Sequence, residues 1–279
     1  MRRRTSTRIG AILATACGLA GLLVADTPPA RAEESPRTLL AVFAHPDDEQ
    51  TISPMLARYA REGVQVHVAF ATGGQKGVRD HAGIPAGEAL GTARAAEARC
   101  ACEKLGILAP ILIDLEDGEF YKEENKAALL KEVARLFAEL KPDVVVTWGP
   151  DGVTGHTDHR MVSSVVSQVI QEADPDTAPR LFYTGLPAER LAALAALAES
   201  PGGGMPLKVA VVRTRYLPVQ VPYGEEDARA ATEALACHKS QYTPQEAAMM
   251  DGMARTLEDG VVRLRPWFVE TETTSDLFE

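Results

Sequence analysis

Five apolar runs, at residues 38–44, 64–71, 110–113, 144–147 and 181–184, punctuate the first two thirds of the chain. They are short and nearly unbroken, as in Leu39-Leu40-Ala41-Val42-Phe43. A strand with one wet face alternates apolar and polar residues, whereas an unbroken run has both faces covered. Between the runs, at 50–62, 87–105, 123–140 and 158–172, apolar residues recur at helical spacing. In the third of these stretches Leu129, Val133, Leu136, Phe137 and Leu140 form one stripe. The alternation predicts a Rossmann-like three-layer α/β sandwich with a mostly parallel sheet. The last third is less regular. It reads as an alanine-rich helix at 191–199, a flexible loop at Pro201-Gly202-Gly203-Gly204, a strand at 215–221 and a helix at 225–239. The polar tail, 271–279, is expected to be loose.

The N-terminus has a different pattern. Arg2, Arg3, Arg4 and Arg8 precede an apolar stretch from 9 to 24, and Ala30-Arg31-Ala32 matches an A-x-A cleavage site. Residues 1–32 are therefore expected to be a cleavable signal peptide, leaving one domain over 33–270 in a secreted or extracytoplasmic protein. The apolar stretch is short for a membrane span, and no second one follows it.

The full chain of 279 residues carries a formal charge of −10, and loss of the leader would remove five arginines and one aspartate. The acidic balance argues against nucleic acid or anionic lipid as partner, since both require basic patches. Three cysteines lie beyond the leader. Cys100 and Cys102 share a predicted helix two positions apart and face different ways, so either could meet Cys237. No CxxC pair exists, which removes a zinc ribbon from consideration.

Chemistry concentrates at two strand ends. Ala44-His45-Pro46-Asp47-Asp48-Glu49 follows the first run, and Gly155-His156-Thr157-Asp158-His159 lies past the fourth. Ligands of open α/β sheets bind at that edge. His45 and Asp48 are close enough in a tight turn to converge on a metal, and His159 is the natural third donor. Three protein ligands and one open position define catalytic zinc. Asp47 is then a spare carboxylate for taking a proton from water, and His156 a spare imidazole. Taken alone, the first cluster reads equally as a helix cap, with Glu49 favouring the positive end of the helix. A two-histidine, one-carboxylate set also accommodates Fe(II) or another divalent metal. His67 reads as structural, His81 as a loop residue on the pocket rim, and Trp148 as core.

The two clusters together resemble the LmbE-like, or PIG-L, family of zinc-dependent N-deacetylases. The resemblance spans residues 39 to 241 and includes Thr72-Gly73-Gly74, Arg94-x-x-Glu97, Leu105-Gly106, Asp117-Gly118 and His238-Lys239-Ser240-Gln241. The chain departs from the family at Gln75, often acidic, and Thr157, often proline. The resemblance implies His45, Asp48 and His159 as zinc ligands, Asp47 as general base and His156 as oxyanion stabiliser or acid. It implies that Asp158 orients a histidine, that Arg94 and Asp117 shape or contact a sugar site, and that His238 lies near the site. The bare residues read Arg94 and Asp117 as an ion pair, and His238 as a cation at a helix end. The implied reaction is removal of an N-acetyl group from an amino sugar or N-acetylglucosamine-containing glycoside, with a small molecule or glycoconjugate as substrate. The alternatives are an amidase for a larger acyl or thiol-conjugate amide, or a carbohydrate-binding protein that keeps the metal without catalysis. Export shifts the expected substrate away from intracellular thiol precursors. Oligomeric state is left open.

Overall fold

The computed structural model describes residues 36–189, 209–268 and 274–278. The expected leader, the helix at 191–199 and the loop at 201–204 lie outside the described residues. The strands are β1 (Thr38–Phe43), β2 (Gln65–Thr72), β3 (Ile111–Leu115), β4 (Val144–Thr147), β5 (Arg180–Thr184), β6 (Val219–Pro222) and β7 (Val261–Pro266). The helices are α1 (Ser53–Arg61), α2 (Glu88–Leu105), α3 (Glu123–Leu140), α4 (Thr157–Glu172), α5 (Glu225–Leu235) and α6 (Pro244–Glu258). The seven strands form one sheet in the order β3-β2-β1-β4-β5-β7-β6. Strands β1 to β5 pair in parallel, and β7 runs antiparallel between β5 and β6.

β1 shows why its run is unbroken. Leu39, Ala41 and Phe43 enter one core, packed with Met55 and Leu56 of α1 and Ala98 and Leu105 of α2. Leu40, Val42 and Ala44 enter the other, with Leu129 and Val133 of α3 and Val162 and Val166 of α4. Both faces of the strand are dry, so no polar alternation survives. β1 pairs with β2 on one side and β4 on the other. The strand order therefore reverses between β1 and β4, and a crevice opens at their carboxyl ends. Both chemical clusters lie there. Among the described residues no helix is long and apolar enough to cross a membrane.

The last third departs from expectation. The strand expected at 215–221 divides into a 3₁₀ turn at Thr214–Tyr216 and β6, and the helix expected at 225–239 ends at Leu235. α6 and β7 were not anticipated. β7 alternates half-buried and buried residues, the pattern of a strand with one covered face rather than an apolar run. The tail is not loose where it is described. Leu277 is fully buried against the first core, its N–H donates to Tyr59 Oη (2.9 Å), and its carbonyl accepts from Arg180 Nη1 (2.9 Å). An apolar residue within a polar segment found a cleft, and burial outweighed the segment's composition.

Candidate metal centre

The chain leaves β1 at Phe43 and turns sharply. Asp48 holds that turn: its Oδ2 accepts the N–H groups of Ala44 (3.1 Å) and His45 (2.9 Å). Asp48 thus braces the turn before the helix rather than capping it, and Asp47 makes no side-chain capping bond. Past β4, His156 is the residue before α4, and its Nδ1 accepts the N–H of Asp158 at 3.2 Å. His159 follows within the first turn of α4, and its ring stacks on Trp148 with centroids 4.3 Å apart and planes 4° apart. Trp148 is therefore core, as expected, and also fixes the plane of His159.

Three side chains converge across the crevice. His45 Nδ1 lies 3.2 Å from His159 Nε2 and 3.6 Å from Asp48 Oδ2, and His159 Nε2 lies 3.4 Å from Asp48 Oδ1. Donors at about 2.0–2.1 Å from a tetrahedral ion lie roughly 3.3 Å from one another, and the two ring nitrogens and the Asp48 carboxylate stand at about that spacing. His45, Asp48 and His159 form a buried group able to hold a metal ion. The atoms on the far sides of the rings support this. His159 Nδ1 faces the carbonyl of Gly152 at 3.0 Å. His45 Nε2 faces Asp117 Oδ1 at 3.2 Å and Asp158 Oδ2 at 3.4 Å. Each of those oxygens accepts a ring N–H, which leaves a lone pair on His159 Nε2 and His45 Nδ1 for the metal.

The electrostatics follow from that packing. Burial disfavours charge on His45, but hydrogen bonds to the carboxylates of Asp117, Asp158 and Asp48 outweigh it and raise its pKa well above the ordinary histidine value. Burial also disfavours charge on Asp48, yet His159 and His45 hold its carboxyl far below the usual range. Asp117 behaves likewise: despite burial, His45 and the Lys76 N–H (2.7 Å) bring it down to about 2. Burial, then the neighbouring His45 and His159, push the pKa of His156 down. With Nδ1 accepting from the backbone, neutral His156 carries its proton on Nε2 and is a donor.

Asp47 sits beside this group with a backbone φ of 103°, a strained value for a residue with a side chain. Its neighbours hold it there. Oδ1 accepts from Arg94 Nη2 at 2.8 Å, Oδ2 accepts from Tyr242 Oη at 2.9 Å, and its N–H donates to Glu49 Oε2 at 2.9 Å. Burial raises the pKa of Asp47, and Arg94 is the main influence opposing the rise. The cavity in front of Asp47 and the three donors encloses about 560 Å³ and is bordered by Lys76, Arg79, His156 and Tyr242.

Arg94 and Asp117 both line this cavity, and the structure shows what else they hold. Arg94 is buried and donates to protein groups: the carbonyls of Gly74 (3.1 Å) and Pro46, and Asp47. This explains Gly74 of the Thr72-Gly73-Gly74 motif, because a Cβ there would collide with the Arg94 guanidinium. Both oxygens of Asp117 serve His45 and the Lys76 N–H. Asp158 does orient a histidine, His45, and also accepts the N–H of Gly118 at 2.8 Å. His238 lies three residues past the end of α5, and against the effect of burial Glu49 raises its pKa. It is buried, and its Nε2 meets Glu49 Oε1 at 2.6 Å. Glu49 therefore does more than favour a helix start, since it ties His238 to the backbone of Asp47. The turn carrying His238 is pinned to α2 by the Cys100–Cys237 disulfide and by Glu97, which accepts from Ser240 N and Oγ, each at 2.7 Å. The Arg94-x-x-Glu97 and His238-Lys239-Ser240-Gln241 motifs are two sides of one contact. Tyr242 and Gln50 were missed by sequence reading; the position of Tyr242, directly after Gln241, was the one available cue.

A mostly parallel α/β sheet carries at its switch point a two-histidine, one-aspartate group able to hold a metal ion and a separate carboxylate, the equipment a metal-assisted hydrolase requires. The description PIG-L: GlcNAc-PI de-N-acetylase matches residues 40–170, which contain both clusters. A Rhodococcus opacus (strain B4) protein named 1D-myo-inositol 2-acetamido-2-deoxy-alpha-D-glucopyranoside deacetylase is 30% identical over 201 residues, 61% of this chain and 68% of that one. A Saccharomonospora viridis protein of the same name is 30% identical over 257 residues, 78% of this chain and 90% of its own length. The chain belongs to the PIG-L family. The fold is shared with N,N'-diacetylchitobiose deacetylase from Pyrococcus horikoshii, at a TM-score of 0.57 and 18% identity over 82% of each chain.

Proposed function

We propose that this chain is a zinc-dependent N-deacetylase acting on an N-acetylglucosamine unit of a small molecule or glycoconjugate. The observation that carries the reading is the meeting of His45 Nδ1, Asp48 and His159 Nε2 beside a carboxylate, Asp47, that belongs to none of their contacts. The names of the relatives support the amino-sugar substrate. Zinc held by His45, Asp48 and His159 would supply a Lewis acid and lower the pKa of its water to about 7. Asp47 takes a proton from the attacking water, whose oxygen adds to the amide carbon. Neutral His156 donates through Nε2–H to the amide oxygen as negative charge builds there. Asp47 returns the proton to the departing nitrogen, the C–N bond breaks, and acetate and a free amine leave. Asp117 and Asp158 hold the imidazole of His45.

The same proposal places the enzyme outside the cytoplasm. The leader pattern at 1–32 supports it, and so does the Cys100–Cys237 disulfide, a bond of oxidising compartments. Expression in an exporting host is expected to yield a mature N-terminus at Glu33.

The test of the reaction is acetate release by metal-replete protein from N-acetylglucosaminyl-inositol and simple N-acetylglucosaminides. Chelation should abolish release and zinc restore it. Asp47→Asn should retain metal and lose turnover. No acetate from any of these substrates, or full activity in Asp47→Asn, overturns the proposal.

A further inference from the structure

Tyr242 follows the His238-Lys239-Ser240-Gln241 motif in sequence and reaches back across the cavity to Asp47. Its hydroxyl has two partners. Gln50 Nε2 lies 2.7 Å from Tyr242 Oη, and Tyr242 Oη lies 2.9 Å from Asp47 Oδ2. The amide nitrogen of Gln50 can only donate, and an ionised carboxylate can only accept. The hydroxyl hydrogen therefore has one direction available, and the chain runs from Gln50 through Tyr242 to Asp47. Gln50 lies in the 3₁₀ turn Asp48–Thr51 that follows Asp47. Its backbone N–H donates to the Asp47 carbonyl at 3.2 Å. The turn that carries the strained aspartate thus also orients the tyrosine that restrains it. With Arg94 on Oδ1 and Tyr242 on Oδ2, rotation of the Asp47 carboxylate is blocked from both sides.

We propose that Tyr242 is a positioning residue for Asp47, holding Oδ2 in the orientation from which it takes the proton of the attacking water, with Gln50 setting the polarity of the hydroxyl. The proposal rests on the deacetylase reading above. A carboxylate free to rotate would spend most of its time misaligned, and such misplacement is costly in the chemical step.

The experiment compares the metal-replete full chain with Tyr242→Phe, Gln50→Leu and Gln50→Glu on an N-acetylglucosaminide. Tyr242→Phe keeps the ring and removes one hydrogen bond to a charged group, so kcat should fall about ten- to one-hundred-fold with KM and metal content unchanged. Gln50→Leu should lower kcat less, because the hydroxyl can still donate to Asp47. Gln50→Glu should lower it more than Gln50→Leu, because the new carboxylate competes for the same hydrogen. Unchanged kcat in Tyr242→Phe, or a rise in KM alone, overturns the proposal while leaving the deacetylase reading intact. Proton NMR gives a readout free of turnover: the Tyr242 hydroxyl signal should shift in Asp47→Asn and in Gln50→Glu. A signal indifferent to both overturns the proposal whether or not any sugar is hydrolysed.

Discussion

Arg94→Met separates a sugar-contacting arginine from one that serves the base. Arg94 is 4% exposed and its side chain ends against three oxygens: Asp47 Oδ1, the Pro46 carbonyl and the Gly74 carbonyl. Methionine keeps the apolar stem and removes every one of those bonds. It also leaves a buried carboxylate without its cation, a loss of about 3–5 kcal/mol in comparable pairs. For a domain of this size that lowers the melting temperature by on the order of 10 °C, measurable by calorimetry. The activity should change in a specific way. Burial already raises the pKa of Asp47, and Arg94 is the principal opposing influence. Without the guanidinium the carboxyl rises further. Asp47 acts only when unprotonated, so activity is lost as pH falls through its pKa. The acid limb of the kcat profile should therefore move to higher pH. A variant with a raised KM but wild-type kcat, acid limb and melting temperature would refute this reasoning and return Arg94 to the sugar.

Asp117 is held down to about 2 chiefly through His45, against the opposing effect of burial. Its stabilising contribution, about 2 kcal/mol, should be present above about pH 4 and lost as pH falls toward 2. Asp117→Asn should flatten that part of a urea-unfolding series. Reduction of the Cys100–Cys237 bond releases the turn that carries His238. The paired Cys100→Ala, Cys237→Ala variant should unfold at lower urea by about 2–4 kcal/mol, and its kcat should fall as the Glu49 tie to Asp47 slackens. Equal kcat would show that the tie holds without the disulfide. Leu277→Ala should cost about 2–5 kcal/mol although it lies in a polar tail, while leaving KM untouched.

Much of the site was legible because its chemistry is local. His45 and Asp48 share one turn and His156 and His159 another, and short spacing survives in sequence. What joins the turns is not local. Glu49 looked like a helix-start carboxylate because charge beside a helix start has a general reason to be there. Its partner His238 stands 189 positions away, and no pattern near Glu49 announces it. Tyr242 was overlooked for the same reason, since a lone tyrosine after a motif has no periodicity to betray its target. Arg94 shows a further kind of limit. The motif places the residue near the cavity that it lines, but whether a guanidinium faces substrate or protein depends on what fills the space in front of it.

The sequence by itself determined the elements and the donor types. Unbroken apolar runs can be satisfied only by strands buried on both faces, helical spacing demands helices to cover them, and two clusters at strand ends carry the histidines and carboxylates. Only the tertiary structure decided which of those side chains meet. Setting β1 beside β4 brings two distant turns within hydrogen-bond range. Contacts from α2 and from the turn after α5 then hold Asp47 in a backbone conformation it would not adopt unaided. Strand order and the packing of remote segments are properties of the whole chain's burial. The orientation of each functional atom follows from them, and no local pattern encodes it.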